Sequence, residues 1–446
     1  MDRDSAEPQV TGVPGERAEA LVEYHHKHAA TTTYVCDFVW DHTAPAAGPF
    51  CTDVDGNVLM DFTSHVGASP FGYNNPKILE PLESFDLVDP LKIAGQDFYL
   101  PAEGALEDAD IPGPADLMDR LTSISAGYDM DTVFLSNSGA EAVENAMKIA
   151  FDHTRGTYTI TAEGAFHGRT LGTLSLNRSR GKYRRGFPEI AGVEDIPYCT
   201  DRSCTPESCD CGFFFDDTSA LRRMLDPETG YVDPDGVAAL VLEPFQGEGG
   251  YRPPSEAFMD EVADLCERHG VLLVADEIQS GVGRTGEWWA ADHYAIEPDA
   301  IASAKALRVG ATISREEVFP EERGRLSSTW GAGDIVAAAG GAVTLDAIEE
   351  YSLLANATQR GRQMIELLED AALPGATDIR GKGLMLAVEF DTAERRDAIQ
   401  EAAFADGFLT IGCGERTLRL LPPLDVTERE IGLGADLLAD AAEAVD

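Results

Sequence analysis

Between Thr132 and Ala304 the sequence alternates short strand-like runs with longer segments of helical periodicity. The strand-like runs are 132–135, 157–161, 238–242 and 271–275, and the run 238–242 is apolar throughout. The clearest helical segments are Glu141–His153 and Phe258–Arg268. A strand that is buried on both faces needs apolar side chains at successive positions, and it needs helices to cover both faces. This pattern therefore predicts an α/β domain with a mostly parallel sheet, and it constrains the fold more than any other feature.

The two ends of the chain have a different pattern. The C-terminal part predicts helices over 345–370, 394–405 and 426–444, and strands over 383–390 and 418–421. Near the N terminus, Phe50–Phe62 is typical of a hairpin whose turn is an Asp-Gly pair. We expect residues 1–80 and 341–446 to form a smaller α+β domain, and residues 81–340 to form the large α/β domain.

The charge balance narrows the classes of partner. The chain has 446 residues with 79 Asp+Glu against 34 Lys+Arg, a formal net charge of -45. Such a surface repels phosphodiester backbones and anionic lipids, so we expect neither nucleic acid nor a membrane as a partner. There is no uninterrupted apolar run of about 18 residues that would span a bilayer. The acidic N-terminal segment is unlike a secretory signal, which favours a cytoplasmic protein.

The basic residues are unevenly divided, with 27 Arg and only seven Lys. A chain that is rich in acid, poor in Lys and still 43% hydrophobic is typical of proteins that stay soluble in concentrated salt. We therefore expect a halophilic protein; an ordinary acidic cytosolic protein is the alternative.

Ligands of open parallel sheets bind beyond the carboxyl ends of the strands, and four such ends carry unusual residues. The first, Ser136–Glu141, joins a strand to a helix. Its glycine, the free N–H groups of the helix start and the Ser138 hydroxyl suit a phosphate, although simple N-capping is the alternative. The second is Asp276, which follows a buried strand. A buried carboxylate needs a cationic partner unless it caps a helix or a turn.

The third strand end carries Lys305, which follows small apolar residues in a chain with few Lys. A Lys in a dry site loses proton affinity and becomes an amine nucleophile that can form a Schiff base; a surface Lys is the alternative. The fourth end carries Phe166, which can stack on a planar ring unless it belongs to the core.

Taken together, these four features match one cofactor. A phosphate cradle, a carboxylate for a protonated pyridine nitrogen, a stacking aromatic ring and a Schiff-base Lys are the attachments of pyridoxal 5′-phosphate. The carboxylate keeps the ring nitrogen cationic, so that electrons from a broken substrate C–H bond flow into the ring. Each feature is ambiguous alone, but the combination predicts an enzyme that uses this cofactor.

With these motifs, the sequence resembles the class III aminotransferases among the fold type I pyridoxal-phosphate enzymes, from about residue 45 to the C terminus. The stretches that carry the resemblance are SNSGAEAVENAMKIA (136–150), AFHGRTLGTLSL (165–176), LEPFQGEGG (242–250), VADEIQSGVGRTG (274–286), PDAIASAKAL (298–307), STWG (328–331), RGKGLMLAVEF (380–390) and LRLLPPL (418–424). The resemblance implies a central, mostly parallel seven-stranded sheet in the large domain, beside a smaller α+β domain.

The resemblance also implies roles for individual residues. Lys305 would form the Schiff base and Asp276 would pair with the pyridine nitrogen, so these two are the predicted catalytic residues. The predicted cofactor-binding residues are Ser138, Gly139, Ala140, Phe166, Glu243, Asp276, Gln279, Lys305 and Thr329. Thr329 would contact the cofactor of the neighbouring subunit, which implies a homodimer with a shared active site. No metal is assigned.

Three charged residues resemble the substrate-binding residues of the family: Arg169, Glu248 and Arg419. Arg419 would hold the carboxylate of 2-oxoglutarate or a similar acceptor, and Glu248 would neutralise it when an ω-amine donor arrives. Arg169 would bind the outer carboxylate of the donor. A solvated surface position is the alternative for each residue.

The function implied is transfer of an amino group from an ω-amino acid of the 4-aminobutyrate, ornithine, acetylornithine or lysine class to a 2-oxo acid. A racemase or epimerase on the same scaffold is the alternative, because the two reactions differ only in where the carbanion is reprotonated. A non-catalytic scaffold is disfavoured by the intact Lys305, Asp276 and Gln279. The family usually has a Gly-rich turn after the Lys, whereas this chain has Ala306–Gly310, which together with STWG favours members like lysine 6-aminotransferase.

Four of the eight cysteines lie in one short stretch: Cys199, Cys204, Cys209 and Cys211. Their spacing fits no standard zinc knuckle, but their density would allow a tetrahedral thiolate site. Reduced thiols in a loop are the interpretation that we prefer from the sequence. The stretch is similar to an insertion in archaeal members of the family, some of which are amino-acid racemases.

Overall fold

A computed structural model describes residues 1–33, 36–98, 100–201, 203–207 and 209–445. The chain divides into two compact units. One unit consists of Met1–Leu79 with Ala355–Asp446, and the other consists of Glu80–Leu354.

Among the described residues, the strands are β1 (Phe50–Thr52), β2 (Val58–Asp61), β3 (Thr132–Ser136), β4 (Tyr158–Ala162), β5 (Val193–Ile196), β6 (Phe214–Phe215), β7 (Thr218–Ser219), β8 (Val237–Leu242), β9 (Leu272–Asp276), β10 (Ala300–Ser303), β11 (Gly310–Ser314), β12 (Ala376–Lys382), β13 (Met385–Phe390), β14 (Phe408–Leu409), β15 (Ile411–Cys413) and β16 (Thr417–Leu420). The helices are α1 (Glu16–His28), α2 (Ser64–Gly67), α3 (Pro76–Ser84), α4 (Pro114–Ile124), α5 (Gly139–Thr154), α6 (Leu171–Leu176), α7 (Gly181–Arg184), α8 (Ala220–Met224), α9 (Glu256–His269), α10 (Ile335–Glu350), α11 (Leu353–Ala371), α12 (Ala393–Ala405) and α13 (Glu428–Val445). The single turn α2 is left-handed, because Ser64, His65 and Val66 have φ of 42°, 50° and 59°.

The unit Glu80–Leu354 is built on a seven-stranded sheet of order β3-β11-β10-β9-β8-β4-β5. Strand β11 pairs antiparallel with both neighbours, whereas the pairs from β10 to β5 are parallel. Every residue of β8 (VAALVL) is buried, as a strand covered on both faces requires. The structure thus confirms the predicted mostly parallel seven-stranded sheet.

Helix α5 covers one face of this sheet. Its buried side chains include Val143, Met147 and Ile149, which belong to one apolar cluster with Val241 of β8 and Val274 of β9. Burying a side chain of this size contributes about 1.5–3 kcal/mol. Because α5 begins where β3 ends, this packing fixes its N terminus at the carboxyl edge of the sheet, where the predicted phosphate cradle lies.

The other unit contains an antiparallel sheet of order β12-β13-β16-β15 and a three-stranded sheet of order β1-β2-β14. Strands β1 and β2 form the predicted hairpin, and Gly56 in its turn has a φ of +88° that favours glycine. Strand β14 pairs parallel with β2, so segments from both ends of the chain share one sheet. Among the helices of the described residues, none combines the length and the apolar character needed to cross a membrane.

Candidate active site

Two predicted catalytic residues lie at the ends of neighbouring parallel strands. Asp276 is the last residue of β9, and Ala302 of β10 lies opposite it in the register. The Glu277 N–H donates to the Ala302 carbonyl at 2.9 Å, and Lys305 follows three residues later. Lys305 is half-buried, and its φ of +33° is unusual for a residue other than glycine. The parallel pairing therefore brings Asp276 and Lys305 to the same edge of the sheet.

Asp276 is held by two donors. Its Oδ2 lies 2.7 Å from Nδ1 of His167, and its Oδ1 accepts from the Ile278 N–H at 3.1 Å. The side chains of Asp276 and His167 are 4% and 0% exposed. Burial lowers the pKa of His167, but the hydrogen bond and charge of Asp276 outweigh it, so that this pKa is raised above 6.5. The pair fixes the orientation of the carboxylate.

His167 is a site residue that sequence reasoning missed, although it lies in the stretch AFHGRT beside Phe166. Its backbone N–H donates to Asn177 Oδ1 at 2.7 Å, which anchors the loop. Its Nε2 has no hydrogen-bond partner among the described residues. Sequence patterns do not show this contact, because Asp276 is 109 residues away along the chain.

A second buried carboxylate, Glu243, lies beside this pair. It accepts the N–H groups of Phe166 and Gly247, each at 2.8 Å. Burial raises the pKa of Glu243 to about 7. The charge of His167 opposes this rise, and the charge of Asp276 adds to it. A Cβ at Gly247 would lie 2.1 Å from Oε1 of Gln279, so the glycine allows Gln279 to approach. The structure thereby brings Glu243, Gln279, Phe166 and Asp276 together.

The predicted phosphate cradle has the expected form. Ser138 is the N-cap of α5, and its Oγ accepts the Glu141 N–H at 3.3 Å. The first N–H groups of a helix have no partner within the helix, which leaves Gly139 and Ala140 as donors. A Cβ at Gly139 would lie 2.7 Å from Cδ1 of Ile278, so glycine is needed for the cradle to lie against the loop after β9. The capping interpretation is confirmed, and phosphate binding stays a prediction.

Phe166 is half-buried at the edge of this group and lies outside the apolar core. Its ring meets Tyr183 edge-on, with 5.5 Å between centroids and an interplanar angle of 72°. The guanidinium carbon of Arg169 lies 5.8 Å from the Phe166 centroid and 5.4 Å from that of Tyr183. Cation–π attraction therefore holds the exposed Arg169 near both rings.

Glu248 has partners within its own unit. It accepts the Tyr183 hydroxyl at 2.9 Å, and the Arg180 Nε lies 3.6 Å away. Arg419 belongs to the other unit, where it is 4% exposed in β16 between Ala387 of β13 and Ile411 of β15. The exchange between Glu248 and Arg419 stays a prediction. Arg180 and Tyr183 were missed, although the basic run 178–185 in so acidic a chain is a signal that could have found them.

Thr329 lies in an exposed turn beside Trp330, which is 53% exposed. The turn is attached to Asp97, which accepts the Ser327 hydroxyl at 2.7 Å and the Ser328 N–H at 2.5 Å. The neighbouring Ser328 Oγ accepts a hydrogen bond from Asn137 Nδ2 at 3.4 Å, which places the turn beside the start of α5. The contact of Thr329 with a cofactor stays a prediction.

The chemistry of these donors fits pyridoxal phosphate. A buried, oriented carboxylate can keep a pyridine nitrogen protonated, and a Lys at the next strand end can reach an aldehyde carbon. The helix start offers backbone donors to a phosphate, and Gly139 and Gly247 leave room where a Cβ would collide with a neighbour.

Comparison with known proteins gives a consistent result. A family model described as aminotransferase class-III matches residues 42–442. Acetylornithine aminotransferase of Methanopyrus kandleri is 33% identical over 406 residues, 90% of this chain and 94% of that protein. Alanine/serine racemase of Pyrococcus horikoshii is 33% identical over 442 residues, 93% of this chain and 88% of that protein. The solved lysine aminotransferase of M. tuberculosis has a TM-score of 0.83 at 26% identity, covering 96% of this chain and all of that one.

The family is one of pyridoxal-phosphate enzymes of fold type I, and the observed sheet agrees with that fold. The strand-end Asp276 and Lys305, the family match and the relatives lead to one conclusion: this chain belongs to the class III aminotransferases.

Proposed function

We propose that this aminotransferase takes its amino group from an ω-amino acid and passes it to a 2-oxo acid such as 2-oxoglutarate. The observation that carries the proposal is the buried Asp276–His167 pair at the strand end next to Lys305. When bound, pyridoxal phosphate supplies an electron sink for the bond broken at the substrate carbon. Lys305 would hold the cofactor and move the proton at that carbon, and Asp276 would keep the ring nitrogen protonated.

His167 acts through Asp276 as a positioning residue. Glu243 and Gln279 would line the ring, Phe166 would cover it, and Ser138, Gly139 and Ala140 would hold the phosphate. We take Glu80–Leu354 to be the cofactor-binding domain, and the unit of both termini to be the small domain.

The substrate class rests on charge. Arg169 and Arg180 both lie near Tyr183. The guanidinium carbon of Arg169 is 5.4 Å from the centroid of the Tyr183 ring. The Nε of Arg180 is 3.6 Å from Glu248, which accepts the Tyr183 hydroxyl. A chain of net charge -45 repels carboxylate substrates unless cations are gathered at the site. These arginines would bind the far carboxylate of an ω-amino acid, and Arg419 would bind that of the acceptor. The names of the acetylornithine and lysine aminotransferases support an ω-amine donor.

Amino-acid racemisation is the second candidate, and the likeness to alanine/serine racemase favours it. Holoenzyme incubated with single amino acids distinguishes the two. A transaminase forms glutamate from 2-oxoglutarate with lysine, ornithine, acetylornithine or 4-aminobutyrate, and does not scramble alanine or serine. Racemisation of alanine or serine without an oxo acid, and no glutamate from any ω-amine, would contradict our proposal.

The enzyme would work as a homodimer. Large apolar side chains are exposed in two segments: Val88, Leu91, Phe98, Leu100, Leu106 and Trp330. The segments are joined, because the Ile335 N–H donates to the Lys92 carbonyl at 3.0 Å and the Ala94 N–H to the Gly333 carbonyl at 3.0 Å. An apolar surface of this kind on a strongly charged chain suits a second copy. It would carry Thr329 into the shared site.

A further inference from the structure

Four thiols converge in the segment between β5 and β6. The Sγ atoms of Cys199, Cys204, Cys209 and Cys211 all lie within 4.8 Å of one another. The sulfurs of Cys199 and Cys209 are 4.0 Å apart, and those of Cys209 and Cys211 are 2.6 Å apart. With Zn–S bonds of about 2.3 Å, the sulfurs of a tetrahedral site are about 3.8 Å apart. We propose that these four cysteines bind one divalent metal ion, zinc, as a closed tetrathiolate site.

Pairing into disulfides explains the arrangement less well. The sulfurs of Cys209 and Cys211 do not form a separate pair, because those of Cys199 and Cys204 lie within 4.8 Å of them as well. Moreover, Cys199 interacts with each of the other three thiols, and not with one alone. Two disulfides need two separate pairs, whereas four sulfurs around one point are the geometry of a metal site.

The sequence of the segment gives a reason for a metal. Residues 199–212 read CTDRSCTPESCDCG, in which Pro206 and the cysteines are too few apolar side chains to form a core. A loop of this length costs conformational entropy to order, and a closed metal site can supply the compensating free energy. Because all four ligands come from the protein, no position is left for a substrate, and the site is structural.

The anchored segment lies next to the proposed cofactor site. The Ser255 N–H, at the start of α9, donates to the Cys199 carbonyl at 2.9 Å. The hydroxyl of the adjacent Tyr198 donates to the Glu243 carbonyl at 3.0 Å. We therefore expect loss of the metal to loosen the segment that Tyr198 connects to Glu243.

The test measures metal directly and does not depend on the proposed function. The protein, purified under reducing conditions from zinc-supplemented cells, is analysed by elemental mass spectrometry. About one zinc per chain is expected, and the Cys199→Ser/Cys209→Ser variant should hold at least about tenfold less. Cys266→Ala, which changes a buried thiol outside the cluster, should keep its zinc.

A second measurement guards against misfolding of the variant. Metal-free wild-type protein is titrated with Co²⁺, and the intense visible bands of tetrahedral thiolate coordination should reach their maximum at one equivalent. No such bands, together with no zinc in the protein as isolated, would overturn the proposal. So would an intact mass lower by the hydrogens of two disulfides, or iron with acid-labile sulfide in place of zinc.

Discussion

Two carboxylates of the unit Glu80–Leu354 have opposite surroundings. Asp276 is 4% exposed and fixed by His167 and by a backbone N–H, whereas the Glu248 side chain is 17% exposed and has Tyr183 and Arg180 as partners. A buried charge is stable only in one arrangement, because removing its partner leaves it unpaired. A more exposed charge can exchange partners at little cost. We infer that the Asp276 region fixes the chemistry, while the Glu248 region sets the substrate.

Among the substitutions that test this contrast, Lys305→Ala should have the largest effect on turnover. Under the proposed function Lys305 would move the proton at the substrate carbon, so its loss should lower turnover at least about a thousandfold while the fold is retained. Lys148→Ala, on the exposed face of α5, is the control and should turn over normally. Steady-state glutamate formation measures both. Residual activity near that of the control would place the proton transfer on another group.

Asp276→Asn should retain bound cofactor yet lose about 10²–10³-fold in turnover, because a neutral amide cannot keep the pyridine nitrogen protonated. The same exchange in the Glu248 region, Glu248→Gln, should change turnover far less and alter the choice of donor. Rates with two donors, one with and one without a far carboxylate, test the contrast. Equal losses of turnover in both variants would mean that the Asp276 and Glu248 regions do not have separate roles.

His167→Gln should lower turnover by about 10–100-fold, as expected for a residue that orients another. The folded-state pKa of His167 is raised, so its ion pair stabilises the protein fully below about pH 6.5, and this contribution is lost as pH rises through the folded pKa. The difference in Tm between wild type and variant should therefore shrink with rising pH. A constant difference would indicate packing alone.

Arg180→Ala should raise KM for a donor with a far carboxylate about tenfold, the value of one charged hydrogen bond, with kcat nearly unchanged. Arg223→Ala removes an exposed arginine elsewhere in the same unit and serves as the control. An equal rise for donors without that carboxylate would remove Arg180 from substrate recognition.

The smallest expected effect is the response of the acidic surface to a change in salt concentration. With a net charge of -45, removing salt leaves the repulsion between acidic faces unscreened, so the proposed dimer should dissociate as salt is lowered. Sedimentation at falling salt measures it. A dimer that persists, with an unchanged Tm, would remove the halophilic interpretation.

The sequence predicted the strands best where burial is complete. The run 238–242 became Val237–Leu242, because a strand covered on both faces must be apolar throughout. The sequence predicted helical structure from residue 345, but α10 begins ten residues earlier, at Ile335. Its first part is Ala- and Gly-rich and buried from Ala338 to Leu345, so it has no polar face to give a period. Strand β11 was missed as well, because its sequence GATIS has one large apolar residue among four small ones and carries no clear pattern.

The site was predictable where chemistry follows strand ends, and less so where contacts join distant segments. Asp276 and Lys305 could be found because each follows an apolar run. His167 and Arg180 lie in loops, and their partners Asp276 and Glu248 are far along the chain. The turn after Lys305 departs from the Gly-rich family pattern, yet it keeps one essential glycine: a Cβ at Gly310 would lie 2.4 Å from the Ser138 carbonyl oxygen.

We propose that Lys305 holds the cofactor at the edge of the sheet beside Asp276. Borohydride reduction of the holoenzyme, followed by digestion and peptide mass spectrometry, tests it most directly. Of the seven Lys in the chain, we expect only Lys305 to carry the reduced pyridoxyl group. A pyridoxyl group on any other Lys, or none on Lys305 in protein that retains the cofactor, would contradict the account.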